Sequence, residues 1–196
     1  MDNTLVIVLA VALVAALGVA AWLYMQQQRS KTLQNRFGPE YDRALSTHSN
    51  TSEAERELKD RTERVEQLHI RALDNDERDR YAGRWQSTQA QFVDDPTGAT
   101  QDADALVGEV MATRGYPVGD FDQRAADVSV NHPRVVEHYR AAHTIALRNA
   151  GGDADTEELR QALVHYRALF EDLLGNADPT PQRAPTERTE QMEARR

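Results

Sequence analysis

The chain has 196 residues, no cysteine and a formal net charge of −9 at neutral pH. Without cysteine, disulfides, thiolate metal sites and cysteine nucleophiles are all excluded. Beyond Asp2 there are 23 basic and 31 acidic residues, hence a net charge of −8. An acidic body of this kind is a poor ligand for nucleic acid or anionic lipid, apart from a small basic collar at Arg29 to Arg36.

The first predicted element is an apolar helix near the N-terminus. The run from Leu5 to Leu23 contains nothing more polar than Gly18. As a helix it would be roughly 30 Å long, which matches the hydrocarbon core of a bilayer. Residues 1–28 are therefore predicted to form a transmembrane anchor that contacts the bilayer through Leu5 to Leu23.

A cleaved secretory signal is the alternative interpretation of the same run. Such signals have a basic n-region, a shorter apolar stretch and a small-x-small cleavage site. Here Met1 to Thr4 holds an acid and no base, the run is longer, and Gly18-Val19-Ala20 is only a passable cleavage site. The uncleaved anchor is favoured; cleavage would instead make the body a secreted or periplasmic helical domain.

Charge next to the apolar run predicts the orientation. Arg29, Lys31 and Arg36 follow it, whereas only the terminal amine and Asp2 precede it. Because basic residues near a span are retained on the cytoplasmic side, we expect the N-terminus outside and the body in the cytoplasm of a bacterial cell.

Residues 29–72 are predicted to form a juxtamembrane elbow and a charged helix. Gly38-Pro39 should break the first helix, and a short helix should restart at Pro39 and run to about Leu45. After a polar loop, Thr51 or Ser52 would cap a helix to about His69 that carries only a thin apolar stripe. The elbow and the stripe supply a candidate interaction surface for a protein partner: Arg36, Phe37, Tyr41, Leu58, Val65 and Leu68. An equally good interpretation is purely structural, with the elbow as a hinge and the helix as a charged spacer.

The region 73–175 is predicted to be a helical bundle that opens with a pair of helices. The first, from about Asn75 to Val93, places four residues at steps of four, three and four on one face, which should be core. The second has Asp95 as its cap and ends at Gly115. Because the connection is short, the two helices should be antiparallel. The four core positions are Tyr81, Trp85, Thr88 and Phe92.

A second pair should follow a short helical piece from Phe121 to Val128. One helix is expected to open at Asn131 or His132, before Pro133, and to close at Gly151-Gly152. Asp155 and Glu158 form a variant capping box for the last helix, which should end at Gly175. The prediction is an all-α chain with an antiparallel bundle of about four helices, followed by a disordered tail, residues 176–196.

One tetrapeptide occurs twice. His138-Tyr139-Arg140-Ala141 returns as His165-Tyr166-Arg167-Ala168. A solenoid needs at least three copies, so two bundle helices that each place a tyrosine in the core explain the echo better. His138 and His143 are five residues apart and should lie on different helix faces, unlike the zinc-binding spacing of four. No catalytic, cofactor or metal site is expected, and an enzyme is the least favoured class.

Several segments carry a resemblance, among them Arg36-Phe37-Gly38-Pro39-Glu40-Tyr41, Arg114-Gly115-Tyr116-Pro117 and the stretch around His132-Pro133. Over roughly residues 36–174 the chain resembles a family of uncharacterised bacterial proteins that are membrane-anchored or described as secreted. That resemblance implies a folded helical domain after an N-terminal apolar segment. The family has no established activity, so it implies no site.

Two functions fit these observations. The leading hypothesis is a membrane-tethered interaction or scaffold module that docks a protein partner, and a homo-oligomer is compatible with it. The alternative is a small-ligand-binding domain with a pocket between bundle helices near Trp85, Tyr139 and Tyr166. A filled core would favour the first, and a pocket with converging polar groups would favour the second.

Overall fold

The computed structural model describes residues 3–175, with side chains 3–11, 14, 22 and 26 left out. All regular structure in this part is helical. The eight helices are α1 (Asn3–Phe37), α2 (Pro39–Thr47), α3 (Thr51–Glu66), α4 (Asn75–Gln91), α5 (Pro96–Arg114), α6 (Phe121–Asn131), α7 (Val136–Ala150) and α8 (Thr156–Gly175). The all-α prediction is therefore confirmed.

The predicted anchor is part of α1, and about half of its side chains lie outside the description. Over the residues that are described, no helix combines the length and the apolar character of a membrane span. The predicted disordered tail, residues 176–196, lies wholly outside the described part.

The chain divides into two units that differ from the predicted domains. The first unit is Met1–Gln67 with Ala126–Glu137, and the second is Leu68–Ala125 with His138–Arg196. The boundary at residue 68 is close to the predicted one at 73. Residues 126–137, in contrast, belong to the first unit and not to the bundle, because they pack against residues far away in sequence.

Helix ends in the first unit follow local sequence closely. Gly38 has a φ of 51°, so the chain breaks there and α2 begins at Pro39, whose fixed φ suits a first helical position. The cap of α3 is Asn50, one residue before the predicted cap, and its side chain accepts a hydrogen bond from the Glu53 N–H at 3.0 Å. Asn is among the best N-cap residues, and an early cap leaves Thr51 as the first helical residue.

The second unit is built around α5, against which α4 and α8 both pack. Asp95 caps α5, as predicted, by accepting the Gly98 N–H at 2.9 Å. The α8 capping box is also confirmed, with the Glu158 N–H donating to Asp155 at 2.8 Å. Two boundaries were wrong: α6 runs on to Asn131, and α7 begins at Val136 instead of near Pro133.

The buried face of α4 is largely as predicted. Tyr81, Trp85 and Thr88 are buried, and Phe92 is half-buried. Trp85 stacks on Phe170 of α8, with ring centres 4.6 Å apart. Large aromatic rings contribute most of the apolar area in a small core, so this stack is a principal contact of the second unit.

Candidate functional site

The predicted interaction surface of the first unit is mostly core. Phe37 and Leu58 have no exposed area, and Tyr41 and Val65 are also buried. The thin stripe of α3 therefore finds its partners within the chain, because α1 and α2 pack against it. In this structure these four side chains do not form a contact surface. Among the predicted set, Arg36 is exposed and Leu68, which begins the second unit, is half-buried.

Tyr41 also makes a polar contact with α3. Its hydroxyl donates a hydrogen bond to the Glu55 carboxylate at 2.9 Å. Burial, followed by this carboxylate, raises the pKa of Tyr41 above its ordinary value. The Tyr41 hydroxyl therefore stays neutral at all ordinary pH values, and its hydrogen bond connects α2 to α3.

Charged side chains join α3 to the other parts of the first unit. The Glu40 carboxylate is fully buried and lies 3.1 Å from the Arg61 guanidinium. Arg61 also contacts Glu57 and donates to the Ser129 hydroxyl at 3.3 Å. One turn further along α3, the Arg64 guanidinium lies 2.9 Å from the Asp127 carboxylate. The second half of α6 is thus held to the first unit by polar contacts that no local pattern predicts.

A groove of about 720 Å³ lies between the polar end of α1 and the N-terminal half of α3. Eight residues line it: three are cations, one is an acid, and four are uncharged. The cations are Arg29, Arg56 and Lys59. The remaining lining residues are Gln28, Thr32, Leu33, Ser52 and Glu55. This α1–α3 groove begins just beyond the predicted anchor, at Gln28.

The second unit holds a group of polar side chains, two of them buried and three half-buried, here called the polar centre. The buried ones are Tyr139 and Tyr166, and the half-buried ones are Asp104, Arg124 and His143. The Tyr166 hydroxyl donates to the Asp104 carboxylate at 2.9 Å. The ring of Tyr166 lies edge-on to that of Tyr139, with centres 6.4 Å apart. The repeated tetrapeptide therefore places both tyrosines in the core, as predicted, and side by side.

Three atoms of the polar centre have no hydrogen-bond partner in the described part of the chain: the Tyr139 hydroxyl, the His143 Nδ1 and the Arg124 Nε. Phe121 brings two of these residues together, because its ring stacks on His143 at 3.6 Å and lies 4.8 Å from Tyr139. Buried polar atoms normally have a partner, so three orphans in one place mark a site where a water or a small polar molecule would bind.

The two tyrosines of the polar centre give a matched test. We expect Tyr166→Phe to lower the free energy of unfolding by about 2 kcal/mol, because a hydrogen bond to a carboxylate is lost and Asp104 loses its donor. Tyr139→Phe should change it by less than about 1 kcal/mol, since this hydroxyl has no hydrogen-bond partner in the described part of the chain. Denaturant titration of the full chain in mild detergent, monitored by Trp85 fluorescence in a Trp22→Phe background, measures both. Equal losses in the two variants would contradict the assignment of Tyr139 as unpartnered.

Both tyrosines are held neutral by their surroundings. Burial raises the pKa of Tyr139 to about 12. Burial and the neighbouring Asp104 raise the pKa of Tyr166 further in the same direction. Neither hydroxyl can act as a base near neutral pH, so both tyrosines serve the polar centre as neutral hydroxyl groups.

The histidines of the second unit predict sensitivity to acid. Burial lowers the pKa of His143, an effect that Arg124 strengthens and that Asp104 and Asp122 oppose. Burial and His138 likewise lower the pKa of His165. A histidine whose pKa is lower in the folded state binds fewer protons there than in the unfolded chain, so stability falls as the pH drops below about 6.5.

We therefore expect the second unit to lose stability between pH 7 and pH 5, and His143→Phe to reduce that loss. Phenylalanine keeps the ring stack on Phe121 but cannot take up a proton. Adding His165→Phe should flatten the profile further. Unfolding midpoints of the full chain at several pH values measure the slope, and a profile that is unchanged in the double variant would contradict the prediction.

The first histidines of the two tetrapeptides also meet. His138 Nδ1 and His165 Nδ1 are 2.9 Å apart, and the ring centres are 5.1 Å apart. Two ring nitrogens this close form a hydrogen bond when one of them carries the proton. Within the described residues, no three His, Cys, Asp or Glu side chains come together as a metal-binding group.

The three residues predicted to line a ligand pocket do not all belong to one site. Tyr139 and Tyr166 belong to the polar centre, whereas Trp85 packs on Phe170. Among the residues that the structure describes, the Trp85 Nε1 also has no hydrogen-bond partner. Sequence reasoning missed Asp104 and Arg124 as members of the site. One signal for Asp104 was available in the sequence. This residue directly follows Ala103, which belongs to the apolar face of α5, so its carboxylate should lie at the edge of that face.

Comparison with known proteins gives no relative. Neither the models of known families, nor the curated proteins, nor the solved structures contain a match to this chain. The resemblance drawn from the sequence therefore stays a prediction, and function has to be argued from the chain itself.

Proposed function

We propose that this chain is a single-pass membrane-tethered helical protein that acts as an interaction or scaffold module, with its body in the cytoplasm. The observation that carries the proposal is the exposed apolar surface of α1. Leu13, Leu17, Val19 and Leu23 are each more than half exposed on one helix. A contiguous apolar surface of this kind has to be covered, and a bilayer would cover it.

The course of α1 supports a stiff tether. The helix runs without interruption from Asn3 to Phe37, and Phe37 is fully buried in the first unit. The fourteen residues after Leu23 would extend about 21 Å beyond the apolar run. A helix that is shared by anchor and folded unit would hold that unit at a fixed distance from the membrane, which suits a scaffold.

Topology is the first test of this proposal. A fusion of the C-terminus to a cytoplasm-active fluorescent protein should give fluorescence on a full-length band that stays with membranes. A parallel fusion to a periplasm-active phosphatase should be inactive. Phosphatase activity would overturn the orientation, which rests on Arg29, Lys31 and Arg36. A shortened band in the soluble fraction would show a cleaved signal and overturn the anchor.

A protein partner can be sought at exposed apolar positions of the second unit. Val93 and Val118 are more than four-fifths exposed, and Leu147 is more than half exposed. A photo-crosslinking amino acid at these three positions should capture a defined partner in cells, while one at the buried Val107 should not. Equal, diffuse labelling from all positions would count against an interaction module.

A second candidate function is small-ligand binding in the second unit. The specific observation in its favour is the convergence of three unpartnered polar atoms from Arg124, Tyr139 and His143. Native mass spectrometry of the purified full chain should then show a bound small molecule that Tyr139→Phe releases. If the unchanged chain and the Tyr139→Phe variant both have the mass of the protein alone, the ligand-binding proposal is wrong.

A further inference from the structure

The α1–α3 groove has a charge that sets it apart from the acidic body. Its lining has three cations, Arg29, Arg56 and Lys59, and one acid, Glu55. The Glu55 carboxylate already accepts a hydrogen bond from the Tyr41 hydroxyl. Local charge here is therefore opposite in sign to the net charge of the chain, and the groove would attract an anion.

The two arginines of the groove are available to a ligand. Among the described residues, neither Arg29 nor Arg56 has an ion-pair partner, and Arg29 is exposed. Lys59 contacts Glu63 at 3.2 Å, but both side chains are more than half exposed. An exposed pair of this kind contributes little and exchanges readily for a stronger partner.

The level of the groove along α1 identifies the source of the anion, provided that the proposed membrane tether is correct. Arg29 is six residues beyond Leu23, so it lies about 9 Å past the end of the apolar run. The polar headgroup region on each side of a bilayer is about 5–8 Å thick, within reach of an arginine side chain. Arg56 and Lys59 line the same groove from α3 and would add their charges near that level.

The chemistry of the lining matches a phospholipid headgroup. Leu33 and the aliphatic stems of the cations provide an apolar floor, since long basic side chains pack their methylenes against apolar groups. Ser52 adds a hydroxyl near the N-terminal end of α3, where the helix dipole also favours an anion. Guanidinium groups bind phosphate oxygens through paired hydrogen bonds.

We propose that the α1–α3 groove binds the phosphate headgroup of an anionic phospholipid from the leaflet that faces the body. The lipid fixes the first unit against the membrane surface. Arg29 contributes from the anchor helix and Arg56 from α3, so the bound headgroup joins the two helices.

The test uses the full chain in nanodiscs that contain a mixture of anionic phosphatidylglycerol and zwitterionic phosphatidylcholine. After transfer to detergent, native mass spectrometry should show phosphatidylglycerol retained on the protein. Near a surface, each basic residue contributes about a fivefold gain in affinity, so Arg29→Gln with Arg56→Gln should lower retention about 25-fold. The matched control is Arg43→Gln with Arg134→Gln, which removes the same charge from exposed positions of the first unit.

Different outcomes separate this inference from the tether. If the chain fails to float with vesicles after carbonate washing, the tether itself is wrong. If it floats but retains both lipids equally, or if the control pair loses as much lipid as the groove pair, the groove proposal is overturned. Millimolar glycerol phosphate that competes fully would show a soluble phosphate site. An acidic protein segment crosslinked to Arg56-containing peptides in place of lipid would likewise overturn it.

Discussion

Replacing Gly115 by alanine is expected to lower the free energy of unfolding of the second unit by about 3 kcal/mol. Gly115 follows α5 with a φ of 101°, in the left-handed region where a side chain is strained. A Cβ at this position would lie 2.5 Å from the His69 carbonyl oxygen and 3.1 Å from its carbon. Both atoms are backbone, so they cannot rotate away.

The hydrogen bonds around Gly115 explain why relaxation would be costly. The Gly115 N–H donates to Ala112 O and the Tyr116 N–H donates to Met111 O, each at 3.0 Å, which is the Schellman pattern. The Arg71 N–H donates to Arg114 O at 2.8 Å, and the Arg114 Nε donates back to Arg71 O at 3.2 Å. Moving the 69–71 segment to admit a methyl group would break these contacts together.

Two other glycines are matched controls for this substitution. Gly152 also has a positive φ, 81°, but a Cβ there would meet nothing within 4 Å, so Gly152→Ala should cost only about 1 kcal/mol of conformational strain. Gly83 lies in α4 with open space around it, and Gly83→Ala should stabilise by about 0.5–1 kcal/mol. Unfolding of the full chain, followed through Trp85, measures all three. A Gly115→Ala loss no larger than that of Gly152→Ala would show that the 69–71 segment moves freely.

Helix ends were predictable from the sequence because they depend on neighbouring residues. Asp95 before Pro96, and Gly115 before Tyr116-Pro117, determine their local hydrogen bonds whatever packs around them. The start of α7 was missed for a related reason. Residues 132–135 form a turn in which the Val135 N–H donates to His132 O at 3.2 Å, and nothing in Asn131-His132-Pro133 distinguishes that turn from a helical start.

Packing partners were not predictable, because they depend on contacts between distant segments. The α3 stripe at Leu58 and Val65 has the same pattern whether its partner is another protein or α1 and α2 of the same chain. Residues 126–137 follow the bundle pattern, yet Asp127 and Ser129 bind α3. Their polar contacts with α3 agree with their place in the first unit, and such contacts leave no periodic signal in the sequence.

The candidate sites show the same division. The echo of His-Tyr-Arg-Ala correctly predicted two core tyrosines, since both lie on apolar helix faces. It could not predict that the Tyr166 hydroxyl reaches Asp104 while the Tyr139 hydroxyl meets no partner among the described residues, because α5 and α6 supply the surroundings. The α1–α3 groove was equally hidden, since Arg29 and Arg56 are far apart in sequence.

Replacing Arg61 by methionine is expected to destabilise the first unit by about 3–5 kcal/mol. Arg61 is largely buried and faces the Glu40 carboxylate, which has no exposed area. Methionine fills a similar volume but removes the guanidinium that faces this carboxylate, and taking one member from a buried ion pair is costly. Hydrogen exchange of first-unit peptides in the full chain measures the loss.

The double variant separates the ion pair from the packing of Arg61. Glu40→Gln removes the buried charge, so combining it with Arg61→Met should recover a large part of the stability that Arg61→Met loses. Glu63→Gln, which alters an exposed pair on the same helix, should change stability by less than about 0.5 kcal/mol. If Glu40→Gln and Arg61→Met instead add without recovery, the cost of losing Arg61 lies in its contacts with Glu57 and Ser129. The same experiment bears on the elbow at Gly38-Pro39, because Glu40 directly follows it and pairs with Arg61 of α3.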